Sequence, residues 1–336
     1  MSFIEEIADY RSVSIVGLAK NAGKTETLNY ILKKVHDGGK RLAVTSIGID
    51  GESQDQVTQT AKPEIEIYEG MIFVTSEKHY REKRLIAEVL DVDSQQTSLG
   101  RLVTARAITS GKVILSGPAS TYGLRDYIEK MKRWQVDTTF IDGALSRLSL
   151  GSPAVTEAMV LATGAAVSRN IAELVKRTKY TYDLTQSEAV NPALAERLAG
   201  IETGVWGIDP QGEAHDLRIP SVLMLENHKE ELFRYGHTIF VAGIVTDKLL
   251  QYLRVQKQAK EIVLIAKDFT RIFASPEVYY AFLKKGARIR VVWRNKLLGI
   301  TINPTSPEGY RMNPEELKEN LESALRIPVY NVRQCN

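Results

Sequence analysis

Residues 13–25 have the sequence Val-Ser-Ile-Val-Gly-Leu-Ala-Lys-Asn-Ala-Gly-Lys-Thr. The apolar run that ends at Val16 predicts a short buried strand, and the helical spacing of apolar residues from 28 to 35 predicts a helix after it. The loop between them, from Gly17 to Gly23, places backbone N–H groups beside the positive end of a helix dipole. This order of strand, glycine-rich loop and helix predicts a binding site for a phosphate chain.

The side chains of this loop suit a nucleoside triphosphate and its magnesium ion. Lys24 lies where an ammonium group would bridge the terminal phosphates, and Thr25 lies where a hydroxyl would bind Mg²⁺. Lys20 would offset the charge that develops as the terminal phosphoryl group leaves. A glycine-rich turn without a ligand is the competing interpretation. The predicted nucleotide-binding residues are Gly17, Lys20, Asn21, Ala22, Gly23, Lys24, Thr25 and Glu26.

Two aspartates follow apolar runs that predict buried strands. Residues 41–47 precede Asp50, and residues 138–141 precede Asp142. Ligands of open parallel sheets bind beyond the carboxyl ends of the strands, and Mg²⁺ prefers oxygen ligands. We therefore expect both carboxylates to hold or position the ion, with an ordinary Asp-Gly turn as the competing interpretation of each pair. The predicted catalytic residues are Lys24, Lys20 and Asp50, and the predicted metal ligands are Thr25, Asp50 and Asp142.

The remaining sequence predicts an α/β protein with two domains. The length of 336 residues suits two domains of ordinary size. We expect a phosphate-loop nucleotide-binding domain with a mostly parallel sheet at 1–195, and a smaller α/β domain at 196–336 for a partner or substrate. The strand predicted at 298–302 and the helix predicted from Asn313 belong to the second domain in this interpretation.

Composition narrows the classes of partner. The net charge of +3 is small for this length and gives no electrostatic case for nucleic acid or for a membrane surface. The single cysteine, Cys335, excludes an intramolecular disulfide, and the acidic N-terminus differs from the basic start of a signal peptide. These features predict a cytoplasmic location, and they leave a homodimer open.

The spacing of the loop points to one class of phosphate-loop protein. Five residues, 18–22, separate Gly17 from Gly23, whereas the common pattern has four. In this the chain resembles dethiobiotin synthetase and the cobyric-acid-type amide ligases, whose longer loop often carries an extra polar or basic residue. The resemblance assigns that role to Lys20. It also supports an alternative function, ATP-dependent phosphorylation of a carboxylate on a small substrate.

Further stretches resemble a more specific family. The chain is similar to the phosphate-loop subunit of the ATP-dependent reactivating factor for lysine 5,6-aminomutase, an enzyme of lysine fermentation. The stretches that carry the resemblance are the loop itself, Thr45-Ser-Ile-Gly-Ile-Asp-Gly-Glu52, Phe140-Ile-Asp-Gly-Ala144, Leu161-Ala-Thr-Gly-Ala165 and Ile302-Asn-Pro-Thr-Ser-Pro-Glu-Gly-Tyr310. The resemblance implies the cofactors ATP and Mg²⁺, and the aminomutase and a second reactivating subunit as partners. ATP hydrolysis would then drive exchange of damaged cobalamin.

One residue departs from the related loops. Glu26 follows Thr25 directly, where a second Thr or Ser is common. A carboxylate in the first helical turn suits the helix dipole, but it would repel a bound phosphate. A nucleotide-gated binding module with negligible turnover, such as a GTP-dependent metallochaperone, is a further alternative. The absence of a metal-ligand cluster and of an Asn-Lys-x-Asp guanine motif from the sequence weighs against it.

Overall fold

The computed structural model describes residues 3–47, 64–118, 120–143, 152, 155–228 and 230–334. The chain divides into two compact units. Unit 1 comprises Met1–Gly151, Val155–Thr178 and Lys296–Asn336, and unit 2 comprises Ser152–Ala154 and Lys179–Asn295. Asp50, Glu52, Ala144 and Cys335, which were named above, lie outside the described ranges.

Strands and helices alternate along much of the chain. The strands are β1 (Ser12–Gly17), β2 (Leu42–Ser46), β3 (Ile65–Ile67), β4 (Ile72–Ser76), β5 (Ala87–Thr97), β6 (Gly100–Ala107), β7 (Gly111–Val113), β8 (Thr138–Asp142), β9 (Ala158–Gly164), β10 (Glu188–Ala189), β11 (Val205–Ile208), β12 (Ala214–Ile219), β13 (Thr238–Val241), β14 (Val245–Thr246), β15 (Val263–Ala266), β16 (Ile272–Phe273), β17 (Arg288–Val291), β18 (Lys296–Asn303) and β19 (Val329–Tyr330). The helices are α1 (Phe3–Ile7), α2 (Lys24–Asp37), α3 (Glu77–Glu82), α4 (Thr121–Met131), α5 (Ile171–Thr185), α6 (Pro192–Ala199), α7 (Asp247–Arg254), α8 (Pro276–Lys284) and α9 (Pro314–Leu325).

Unit 1 is built on a nine-stranded sheet with the order β19-β18-β9-β1-β8-β2-β4-β6-β5. Neighbouring strands from β19 to β4 run parallel. The β4–β6 and β5–β6 pairs are antiparallel. The predicted α/β class with a mostly parallel sheet is therefore confirmed. The first strand lies inside the sheet, so the loop that follows it opens at the edge where parallel sheets bind ligands.

The core of unit 1 explains why β1 and α2 form where they do. Every residue of β1 is buried, as expected for an apolar strand covered on both faces. Helix α2 presents Leu28, Ile31, Leu32 and Val35 to the same core as Val13 and Ile15. Burying each of these large side chains contributes roughly 1.5–3 kcal/mol. Packing thus holds the loop between β1 and α2 at both ends.

Unit 2 contains a six-stranded sheet with the order β10-β17-β15-β13-β11-β12. Strands β10, β17, β15 and β13 run parallel, and β11 and β12 add an antiparallel edge. Phe240, Ile265 and Leu198 belong to its apolar core. Thr246 is the N-cap of helix α7, and its hydroxyl accepts a hydrogen bond from the Leu249 N–H.

The units differ from the predicted domains 1–195 and 196–336. Residues 296–336 belong to unit 1, because β18 pairs in parallel with β9 over Lys296–Asn303. The predicted helix at Asn313 exists as α9, with Asn313 as its N-cap, but it also lies in unit 1. Unit 2 is therefore inserted into the sequence of unit 1 and does not follow it. Within the described ranges, no helix combines the length and the apolar character needed to cross a membrane.

Candidate functional site

The loop between β1 and α2 contains two residues in the left-handed conformation. Gly23 is the N-cap residue of α2 and has φ = 98°, a left-handed conformation that strains any residue with a Cβ atom. Asn21 is also left-handed, with φ = 60°, which asparagine tolerates better than most residues. The first intrahelical hydrogen bond runs from the Thr27 N–H to the Gly23 carbonyl at 2.9 Å. Earlier N–H groups of the helix have no intrahelical acceptor and can donate to an anion.

Lys24 folds back over the end of β1. A Cβ atom on Gly17 would lie 2.9 Å from Lys24 Cγ and 3.2 Å from Lys24 Nζ, so only glycine leaves room for this side chain. Burial lowers the pKa of the Lys24 ammonium; the Asp142 carboxylate acts in the opposite direction, and the Lys20 charge lowers the pKa further. The structure therefore brings together three of the predicted site residues, Lys20, Lys24 and Asp142.

Asp142 ends β8 between two neighbouring strands. Its register partners are Ile15 on β1 and Ser46 on β2. The Ile47 N–H donates to the Asp142 carbonyl at 3.3 Å, and the Gly143 N–H donates to the Ile15 carbonyl at 3.1 Å. These backbone contacts set the carboxylate at the carboxyl edge of the sheet, as predicted.

Ser46 is a polar residue that sequence reasoning missed. Its side chain is 6% exposed, and its Oγ has no hydrogen-bond partner among the described residues. Burying a hydroxyl without a partner costs about 1–3 kcal/mol. The register places it beside Asp142. A serine at the end of an apolar strand gave no signal that would separate it from a buried core residue.

The C-terminal segment of unit 1 completes the surroundings of the loop. Asn303 Nδ2 donates to the Asn21 carbonyl at 3.3 Å, and the Ala165 N–H donates to the Asn303 carbonyl at 2.9 Å. The hydroxyls of Thr27 and Thr301 are 2.7 Å apart in a buried contact between α2 and β18. Sequence reasoning missed Thr301 and Asn303 because it assigned them to the second domain. The Asn303-Pro304 pair, which ends the apolar run of β18, was the signal that could have pointed to Asn303.

Glu26 has a cationic partner. Arg333 Nη2 lies 3.0 Å from Glu26 Oε1, and the two side chains are 48% and 52% exposed. The ion pair offsets the negative charge that the sequence places in the first turn of α2. The expected repulsion between Glu26 and a phosphate is therefore reduced by a residue near the other end of the chain.

Thr163 has a structural role. Its hydroxyl lies 2.9 Å from that of Thr178 on α5, and both side chains are fully buried. Gly164, which follows it, passes so close to Asn303 that a Cβ atom would lie 2.0 Å from the Asn303 carbonyl oxygen. The backbones of β9 and β18 therefore lie very close together beside the loop.

The donor set near the loop suits magnesium. Thr25 supplies a hydroxyl at the start of α2, and Asp142 supplies a carboxylate at the end of β8. Mg²⁺ needs only one or two protein ligands of this kind, since phosphates and water complete its shell. No cluster of three or more His, Cys, Asp or Glu side chains that could hold a metal occurs among the described residues. Asp50, the third predicted ligand, lies outside them.

Comparisons with protein-family models, with curated proteins and with solved structures found no match to this chain.

Proposed function

We propose that the chain binds magnesium ATP at the β1–α2 loop and hydrolyses it. The observation that carries the proposal is the position of Lys24, which is partly buried over Gly17. Burial and the charges of Asp142 and Lys20 act on its pKa. Burying a lysine costs free energy that a bound polyanion would recover. A merely structural lysine would more easily extend into solvent.

Each residue of the site has a role in this reaction. The N–H groups at the start of α2 bind phosphate oxygens, and Lys24 neutralises the terminal phosphates. Water attacks the γ-phosphorus, the bond to the β–γ bridging oxygen breaks, and ADP and phosphate leave. Lys20 stabilises the negative charge that develops during this step. Thr25 and Asp142 would hold Mg²⁺, which would supply further charge neutralisation at the phosphates.

The proposed use of the hydrolysis is reactivation of a cobalamin-dependent aminomutase of the lysine 5,6-aminomutase type, together with a second reactivating subunit. Support for this part comes from the sequence resemblance described above. Unit 2 is inserted into the sequence of the unit that carries the loop, and we propose that it binds the partner.

Steady-state hydrolysis tests the reaction. The wild-type chain should release phosphate from ATP only with Mg²⁺, and Lys24→Ala should abolish release while its circular dichroism spectrum is unchanged. Lys33→Ala is the matched control, because Lys33 is an exposed lysine on the same helix. Equal hydrolysis by Lys24→Ala and the control would refute the proposal.

A reconstitution experiment tests the partner separately. Aminomutase inactivated by damaged cobalamin is mixed with the chain, the second subunit, fresh adenosylcobalamin and either ATP or a non-hydrolysable analogue. Recovery of mutase activity with ATP but not with the analogue supports reactivation. If ATP is hydrolysed but no recovery follows, the partner assignment is wrong, while the proposed hydrolysis stands.

A further inference from the structure

A basic cavity lies in unit 2. No residue of the β1–α2 loop and no predicted nucleotide-binding residue lines it. Its volume is about 570 Å³. The lining includes four cationic side chains, Arg254, Lys257, Lys260 and Lys285, and no acidic one. Ligand pockets for small molecules have volumes of about 300–1,000 Å³, but most are lined by apolar groups. Charge is therefore the distinguishing property of this cavity.

The backbone around the cavity explains how the four cations come together. Arg254 is the last residue of α7, and Lys285 is the C-cap of α8. Lys260 lies in a 3-10 turn at Ala259–Glu261. Gly286 has φ = 85° and packs so closely that a Cβ atom there would lie 3.2 Å from Lys260 Cβ. This contact holds the end of α8 against the turn after α7.

Local negative charge does not balance these cations. The ends of α7 and α8 supply about −0.5 elementary charge each, which leaves about three positive charges. The neighbouring acid, Glu261, does not line the cavity, and its carboxylate lies 3.6 Å from the His237 ring. No ion pair links any of the four cations to a carboxylate of the residues that the structure describes.

We propose that this cavity binds a small polyanion of the oligophosphate class. Four cations around one cavity repel each other, and an anion with several charges relieves that repulsion at several points at once. A single monovalent anion would leave most of the repulsion in place. A neutral apolar ligand would leave the cations desolvated and unpaired.

Calorimetric titration with inorganic tripolyphosphate tests the proposal. The titration uses the full-length chain carrying Lys24→Ala, which weakens any binding at the β1–α2 loop. We expect saturable binding to one site that weakens as salt is raised. Adding Lys257→Ala or Lys260→Ala should each weaken binding by about tenfold or more, since each removes a charge-assisted hydrogen bond. Lys248→Ala, an exposed lysine on α7 outside the lining, should leave binding unchanged.

Three outcomes would overturn the proposal. These are no saturable binding of tripolyphosphate, binding that is equally strong in the Lys257→Ala and Lys248→Ala variants, and binding of a poly-glutamate peptide in preference to tripolyphosphate. The last result would identify the cavity as a docking surface for an acidic protein segment. None of them affects the proposed ATP hydrolysis, which Lys24→Ala tests in the otherwise wild-type chain.

Discussion

Asn303 Nδ2 donates a hydrogen bond of 3.3 Å to the backbone carbonyl of Asn21, a residue 282 positions earlier in the chain. Asn21 is left-handed, and its carbonyl direction depends on that conformation. The contact therefore ties the shape of the β1–α2 loop to the end of β18. The C-terminal part of unit 1 thus supports the predicted phosphate site, and substitutions there should be felt at the loop.

Gly23→Ala tests this support. An alanine would take a left-handed conformation, which costs roughly 1–2 kcal/mol, and its Cβ would lie 2.7 Å from Asn303 Cβ. We expect a loss of about 2–3 kcal/mol in the free energy of unfolding, measured by urea denaturation, together with a loss of ATP hydrolysis. Gly39→Ala is the control, because Gly39 has φ = 79° but nothing within 4 Å of the added atom. Equal losses in the two variants would mean that Asn303 does not constrain the loop.

Lys24→Met should separate stability from activity. Burial lowers the pKa of Lys24 in the folded chain, so the unfolded chain binds more protons between the two pKa values. Holding the charged Lys24 in its site lowers the free energy of unfolding, and this cost is fully present below the pKa of the folded chain. The cost is lost as the pH rises from that pKa toward the unfolded value of 10.5. We expect the variant to unfold at higher urea than the wild type at pH 7, with the difference shrinking at alkaline pH, and to lack hydrolysis. Lys33→Met, an exposed change on the same helix, should show neither effect.

The Glu26–Arg333 ion pair should affect ATP more than stability. Both side chains are about half exposed, so the pair contributes no more than about 1 kcal/mol to folding. Arg333→Ala leaves the Glu26 charge uncompensated beside the loop, and we expect a higher KM for ATP. Glu26→Gln should lower that KM, and the double variant should resemble Glu26→Gln alone. When KM is measured at increasing salt concentration, the differences between these variants should become smaller. A KM that is unchanged in Arg333→Ala would contradict the expected charge effect.

Ser46→Ala should stabilise unit 1 while impairing magnesium use. The Ser46 hydroxyl is buried without a partner among the described residues, so its removal should raise the free energy of unfolding by about 1 kcal/mol or more. Because Ser46 is the register partner of Asp142, we expect a higher Mg²⁺ concentration for half-maximal hydrolysis. Ser14→Ala is the control: Ser14 is also buried but accepts a hydrogen bond of 3.1 Å from Thr156, so its loss should destabilise the fold. An unchanged Mg²⁺ requirement in Ser46→Ala would exclude a role beside Asp142.

Several features of the site could be predicted because they depend on short stretches of chain. The apolar run of β1, the helical spacing of α2 and the glycines between them specify a strand, loop and helix through local sterics and periodicity. The apolar run before Asp142 likewise predicts a strand that ends in a carboxylate. Parallel strands align their carboxyl ends, so the proximity of Asp142 to the loop followed from the fold class.

The partners of that loop depend on tertiary structure alone. The apolar pattern of β18 suits either sheet, because strand periodicity shows which side chains are buried but not which strand lies alongside. Pairing with β9 brings Asn303 and Thr301 to the loop, and the segment that follows brings Arg333 to Glu26. The sequence by itself determined a strand, a glycine-rich loop and a helix with a lysine at its start. Only contacts between residues about 300 positions apart decided which side chains support the loop and the start of the helix, since such pairing is set by the packing of the whole unit.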